Sequence, residues 1–168
     1  MGAEARIRGG ALALALGLLL VAGAVGFAGY FFYCPCDRAP GGWLLGDVVA
    51  EPVEDWSFAN DEPLCQIQVF RGGVWPHAIN LNCMASEGRL YLSCAGCEGK
   101  AWSTAALAHP EARLRLGARV YPVRLTRVED PAVLDEAWNA RARKTGRGEG
   151  SPRQDGWWSF RVVFRDNA

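Results

Sequence analysis

Lys100, two histidines and six cysteines are the residues of this 168-residue chain best suited to chemistry. Lys100 follows Gly99 and opens a helix-like run to Ala108. An ammonium at a helix amino end stands beside backbone donors, and both favour an anion such as a phosphate. The histidines, His77 and His109, have no Ser/His/Asp partner set and no metal-binding helix pattern around them. His109 precedes Pro110 and reads as a helix terminator. His77 lies in a strand-like run, where a pocket role and a structural role are both open. The cysteines are Cys34, Cys36, Cys65, Cys83, Cys94 and Cys97. Cys94-Ala95-Gly96-Cys97 has the spacing of a redox pair, half a metal site or a staple. A zinc site wants a second, similarly spaced pair, and Cys34-Pro35-Cys36 is too tightly spaced to supply it. A redox pair of the thioredoxin kind opens a helix in a βαβ unit, whereas this one follows an antiparallel strand. A loop disulfide, or two inert thiols, is therefore the expectation.

The elements that must position these groups are strands. Leu64–Arg71 alternates strictly, which predicts a half-buried first strand turned at Gly72-Gly73. Pro76–Met84 and Arg89–Ala95 form a hairpin around Ala85-Ser86-Glu87-Gly88, a loop slightly longer than the tightest type. Ala112–Leu116 and Arg119–Arg127 make a second hairpin around Gly117-Ala118. Gly156–Phe164 is a closing strand with one dense aromatic face. Between the last two, Pro131–Lys144 reads as a helix capped by Asp130 and ended by Gly146, followed by a polar loop from Thr145 to Asp155.

This order of strands, with Gly88-Arg89-Leu90-Tyr91, Glu98-Gly99-Lys100 and His109-Pro110-Glu111-Ala112-Arg113-Leu114, resembles the pyridoxamine-phosphate-oxidase-like family. That flavin-binding family includes deazaflavin-dependent nitroreductases. The resemblance spans roughly Trp56 to Phe164. It implies a mainly β fold with helices (α+β), a six-stranded antiparallel split β-barrel; an N-terminal transmembrane helix, read separately from the residues, precedes it. It also implies a homodimer with pockets at the interface, and FMN or a related flavin as cofactor. Its phosphate would sit at Lys100 and near Ser103, and its ring along His77, Asn80 and Asn82. Tyr91 and Ser93 would stand in for the usual Thr/Ser contacts. Beside Lys100 the family commonly has a second basic or hydroxyl residue, but Gly99 and Ala101 occupy those positions here.

Upstream, Ala11 to Tyr33 is uncharged and ends on Tyr30, Phe31, Phe32 and Tyr33. At ~1.5 Å per residue it reaches roughly 34 Å, enough to cross a bilayer core. The apolar run continues past the small residues Ala22-Gly23-Ala24, which favours an uncleaved anchor over a signal peptide. Arg6 and Arg8 precede it and Arg38, beside Asp37, follows; this bias keeps the amino end cytoplasmic and the domain on the extracytoplasmic, periplasmic side. The expected organisation is a membrane anchor at 1–33, a linker wrapping onto the domain at 34–62, and the barrel at 63–168. Trp43, Leu44, Leu45 and Trp56 are the linker's apolar contacts, and Val53–Phe58 is a short strand or turn.

The chain is formally neutral, yet acids dominate from Cys34 to Glu98 and bases after Gly99. Arg113 and Arg115 share one side of their strand, read as a solvated face in preference to an anion site. This balance, with no reader motif, argues against nucleic acid. Two functional classes remain: a membrane-anchored flavin oxidoreductase, and a non-catalytic tethered module that binds a small ligand or protein partner. A haem-binding variant is limited by the two histidines. Scarcity of acids and bases does not exclude the oxidoreductase, because a flavin carries the reactive atoms itself. Protease added to cells whose outer membrane has been opened should degrade the globular part. Protection until the inner membrane is ruptured would reverse the orientation.

Overall fold

The computed structural model describes residues 3–33 and 41–165. Cys34-Pro35-Cys36 and the first residues of the linker lie outside the described residues. The elements in order are α1 (Ala3–Tyr33), β1 (Asp47–Val48), β2 (Cys65–Arg71), β3 (Trp75–Ser86), β4 (Arg89–Ala95), α2 (Ala101–Ala108), β5 (Glu111–Leu116), β6 (Arg119–Arg127), α3 (Pro131–Thr145) and β7 (Trp157–Phe164). Within α1, Ala11–Tyr30 has a mean hydropathy of 2.4 and no buried residue, so it is long and apolar enough to cross a membrane.

The barrel follows from the way β3 changes partner. From Trp75 to Leu81 it pairs with β2, and from Asn82 to Ser86 with β4. β2 continues to β5 and β5 to β6, while β7 joins β4 to β6 and closes the circuit β2-β3-β4-β7-β6-β5. All six of these strands are antiparallel to their neighbours. Period-two patterning fills the interior: Ile67, Val69, Leu90, Leu92, Leu114, Val123, Phe160 and Val162 belong to one cluster. α2 adds Trp102, Ala105 and Ala106 to that cluster, with Trp102 5.2 Å from Phe160 between ring centroids. α3 covers Met84, Tyr91 and Trp157 through Ala137, Trp138 and Ala140 in a second cluster.

Local chemistry explains the boundaries. The Asp130 carboxylate accepts from the N–H groups of Ala132 and Val133, and Gly146 ends α3 at φ 64°. The β3–β4 turn is tighter than expected: it consists of Glu87 and Gly88, both at positive φ, the mirror-turn geometry that suits strand twist. Val53–Phe58 is not a strand; Ser57–Asn60 forms a single 3-10 turn instead.

The linker does more than lie on the barrel. Gly41 pairs with Ala78 on the edge of β3 that β4 has left open. Leu44 N–H then donates to Gln68 Oε1 on β2, and Arg115 Nη1 on β5 donates to the Leu45 carbonyl. β1 finally joins β6 in parallel, at Asp47↔Arg119 and Val48↔Val120. The segment is thus a strap across four strands. It corrects the half-buried reading of β2, since Gln66 and Gln68 are buried as well as Ile67 and Val69. Leu44 and Trp56 are the buried linker contacts, whereas Trp43 and Leu45 stay exposed.

The place where β3 changes partner is tied twice. A Cys65–Cys83 disulfide, with a sequence separation of 18, links β2 to β3 there. Lys144 of α3 donates to the Cys83 and Ala59 carbonyls at 2.7 and 2.8 Å. Burial pulls its ammonium below the usual lysine range, opposed by Glu62 and Asp61. Closing a loop of that length should stabilise the fold by about 3 kcal/mol on a chain-entropy basis. Cys65→Ala with Cys83→Ala should therefore lower unfolding free energy by that order in urea titration, with the native circular dichroism retained.

Candidate functional site

Lys100 occupies the capping position of α2 in an extended conformation, with no side chain capping the first turn. No side chain therefore satisfies the amides of the first turn. The ammonium is exposed and rests on the Ala95 carbonyl at 2.8 Å. Such a contact at the surface exchanges readily with an anion. Ser103 is differently placed: it is fully buried, and its hydroxyl donates to the Cys97 and Lys100 carbonyls. It fixes the turn into α2 and so positions Lys100.

The remaining candidates do not converge on Lys100 within one chain. Asn80 and Asn82 share the outer face of β3, while His77 falls on the opposite face near the strand's start. Asn82 is exposed and sits opposite Ser93. Ser93 is buried, its hydroxyl 3.8 Å from Met84 Sδ. Tyr91 is fully buried among Met84, Trp138 and Trp157 beneath α3. Burial raises its phenol above the usual tyrosine range, reinforced by Glu136 and opposed by Arg89. Tyr91 and Ser93 thus support the strand wall.

Sequence reasoning missed a second polar assembly, on the outer face of β2 and β5. Register places Gln66 beside Arg115 and Gln68 beside Arg113. Gln68 is fully buried; its oxygen holds Leu44, and its Nε2 has no hydrogen-bond partner among the described residues. Arg113 lies 4.8 Å over the Trp43 ring, and burial lowers its guanidinium from the usual arginine range. One of its nitrogens, Nη1, is likewise buried without a partner among the described residues. The solvated-face reading of Arg113 and Arg115 is therefore corrected: the strap half-buries both. The alternating glutamines were the available signal, but without the strap they read as a solvent-facing row.

Two cavities flank this face. One, of about 360 Å³, is lined by Glu62, Leu64, Gln66, Asn80 and Arg115 among others. The other, of about 490 Å³, is lined by Phe70, His109, Arg113, Arg124 and Arg165, with Glu111. Glu111 bridges Arg124 and Arg165 at 3.5 and 3.4 Å, so the basic groups outnumber the acid there. Among the described residues no group of His, Cys, Asp and Glu could hold a metal.

No protein-family model and no curated protein matches this chain. Solved structures do. It is similar to a Listeria innocua protein named for pyridoxamine 5′-phosphate oxidase, at 12% identity and a TM-score of 0.51, over 64% of this chain and 87% of that one. It is also similar to a Bacteroides thetaiotaomicron protein named for 5-nitroimidazole antibiotic resistance, at 10% identity and a TM-score of 0.51, over 79% of this chain and 91% of that one. At these identities the likeness establishes the split-barrel fold, and the family resemblance read from the sequence holds at that level.

His77 provides a test of the opposite face of β3 by pH. Burial, and then the charge of Arg71, pull its folded-state value below 6.5. The unfolded chain therefore binds its proton first on acidification, so stability falls as pH drops through about 6.5 toward the folded value. His77→Asn should flatten the fall in urea midpoint over about pH 5–7, and an unchanged slope would place the imidazole in open solvent.

Proposed function

We propose that this protein is a membrane-anchored, flavin-binding split barrel acting as an oxidoreductase. The observation that carries the proposal is Lys100 at the uncapped start of α2. A helix amino end and an exposed ammonium form a phosphate subsite, and the barrel is of a kind whose relatives in fold include the protein named for pyridoxamine 5′-phosphate oxidase. FMN, or a deazaflavin relative, supplies the hydride chemistry itself when bound. The chain's share is to bind and orient. Lys100 and the first-turn amides of α2 hold the phosphate, Ser103 holds the turn, and the outer face of β3 offers Asn80 and Asn82 toward the ring, with His77 on the opposite face. Tyr91 and Ser93 keep that wall rigid from beneath α3. A second copy of the chain completes the pocket on the ring side, as a homodimer. α1 tethers the assembly with its domain on the periplasmic side, where the cofactor must be delivered.

A second reading is supported by the basic cavity beside Arg113. There the protein would be a non-catalytic tethered module that takes an anionic small ligand or the acidic segment of a protein partner.

Titration of the detergent-solubilised full chain with FMN separates the two. A charge-assisted hydrogen bond is worth ~1.5–3 kcal/mol, so Lys100→Ala should weaken FMN binding roughly ten- to a hundred-fold. Thermal stability should change little, because the ammonium is exposed. Arg113→Ala should leave FMN affinity within about twofold. The reverse ranking would move the ligand to the basic cavity. Absence of FMN binding by the wild type would remove the flavin and leave the tethered module.

A further inference from the structure

The two described disulfides differ in ways that matter chemically. Cys65–Cys83 closes a long loop, and both of its residues are wholly buried in the barrel core. Cys94–Cys97 has a sequence separation of only 3. Closing so short a loop removes little freedom from the unfolded chain, so it is a poor staple. The backbone around it is already held without the sulfurs. β4 pairs with β7 as far as Ala95↔Trp157, and Gly96 N–H donates to the Gly156 carbonyl. On the other side Lys100 N–H and the Ser103 hydroxyl both donate to the Cys97 carbonyl, and Lys100 Nζ donates to that of Ala95. The bridge can open with its surroundings in place.

Its two sulfur-bearing residues are also unequal. Cys94 is partly exposed and Cys97 is fully buried. The chain passes from Cys97 through a single turn into α2, whose first turn carries no side-chain cap. Cys97 therefore stands three residues before Lys100, on the approach to that helix end. A disulfide between a partly exposed residue and a shielded one leaves one side open to approach, and thiol–disulfide exchange depends on such access.

We propose that Cys94–Cys97 is an exchange site that accepts two electrons from a dithiol partner in the compartment of the exported domain. A partner thiolate attacks Cys94 Sγ, and the Cys94–Cys97 bond breaks with its electron pair going to Cys97 Sγ. The partner's second thiolate then attacks its own sulfur in the mixed disulfide and releases Cys94 as a thiolate. The partner leaves as a disulfide, and two protons from its thiols end on Cys94 and Cys97. The site runs in reverse toward an oxidised partner. This inference stands on the cysteine geometry and is independent of flavin binding.

The test uses the full chain in detergent under native conditions, with dithiothreitol as the dithiol. Thiols are trapped by alkylation and assigned by peptide mass, which keeps Cys34 and Cys36 separate. Cys94 and Cys97 should become alkylated at a dithiothreitol concentration at least ~10-fold below that needed for Cys65 and Cys83, with circular dichroism unchanged. Cys97→Ser should form a mixed disulfide with oxidised glutathione at Cys94, while Cys97 in the Cys94→Ser variant should react at least ~10-fold more slowly. Opening of both disulfides together, or only on unfolding, would overturn the proposal, as would equal reactivity of the two single thiols. The wild-type arm stands even where a variant fails to fold.

Discussion

The fold depends on one strand having two partners. β3 belongs to the β2 ladder up to Leu81 and to the β4 ladder from Asn82. A strand that leaves one neighbour for another exposes an edge, and unpaired edge amides are costly or prone to aggregate. Each nearby feature answers that constraint. Gly41 covers part of the open edge at Ala78. The Cys65–Cys83 bridge and Lys144 hold the point of exchange, and β7 closes the far side between β4 and β6. Closure fixes where the β4–α2 turn emerges, and with it the position of Lys100.

The strap has a consequence for the outer surface. In crossing β3, β2, β5 and β6 it converts a polar strand face into a half-buried donor network of Gln68, Arg113 and Arg115. Buried donors without partners favour any acceptor that reaches them, because leaving a buried polar group unsatisfied costs about 1–3 kcal/mol. Lys100 works by the opposite means: it is exposed, loosely engaged and available. The molecule thus has a solvent-facing lysine corner and a partly shielded basic face.

Much of this was legible from local pattern. The alternation in Glu111–Leu116 and Arg119–Arg127, the Asp130-Pro131 helix start and the Gly146 stop each reflect chemistry within a few residues, and each appears where expected. The family resemblance located the barrel, since strand order and turn glycines follow the fold closely. Long-range features were not legible. Nothing local tells that Cys65 meets Cys83, that Lys144 reaches two carbonyls at the strand junction, or that the linker lies over Gln68. The solvated reading of Arg113 failed for that reason, and the buried setting of Tyr91 depends on α3 docking from a distance in sequence. For Val53–Phe58, read as a strand or a turn, the outcome is the turn: Ser57–Asn60 is a 3-10 turn, and Trp56 beside it packs against Tyr121.

The central claim is that this barrel carries a flavin at the membrane surface. Its most direct measurement is the visible absorption spectrum of the full chain extracted from membranes and purified without added cofactor. Flavin bands that co-purify with the protein and are released on unfolding are the predicted result. A colourless protein that stays colourless after incubation with FMN and removal of the excess would contradict it.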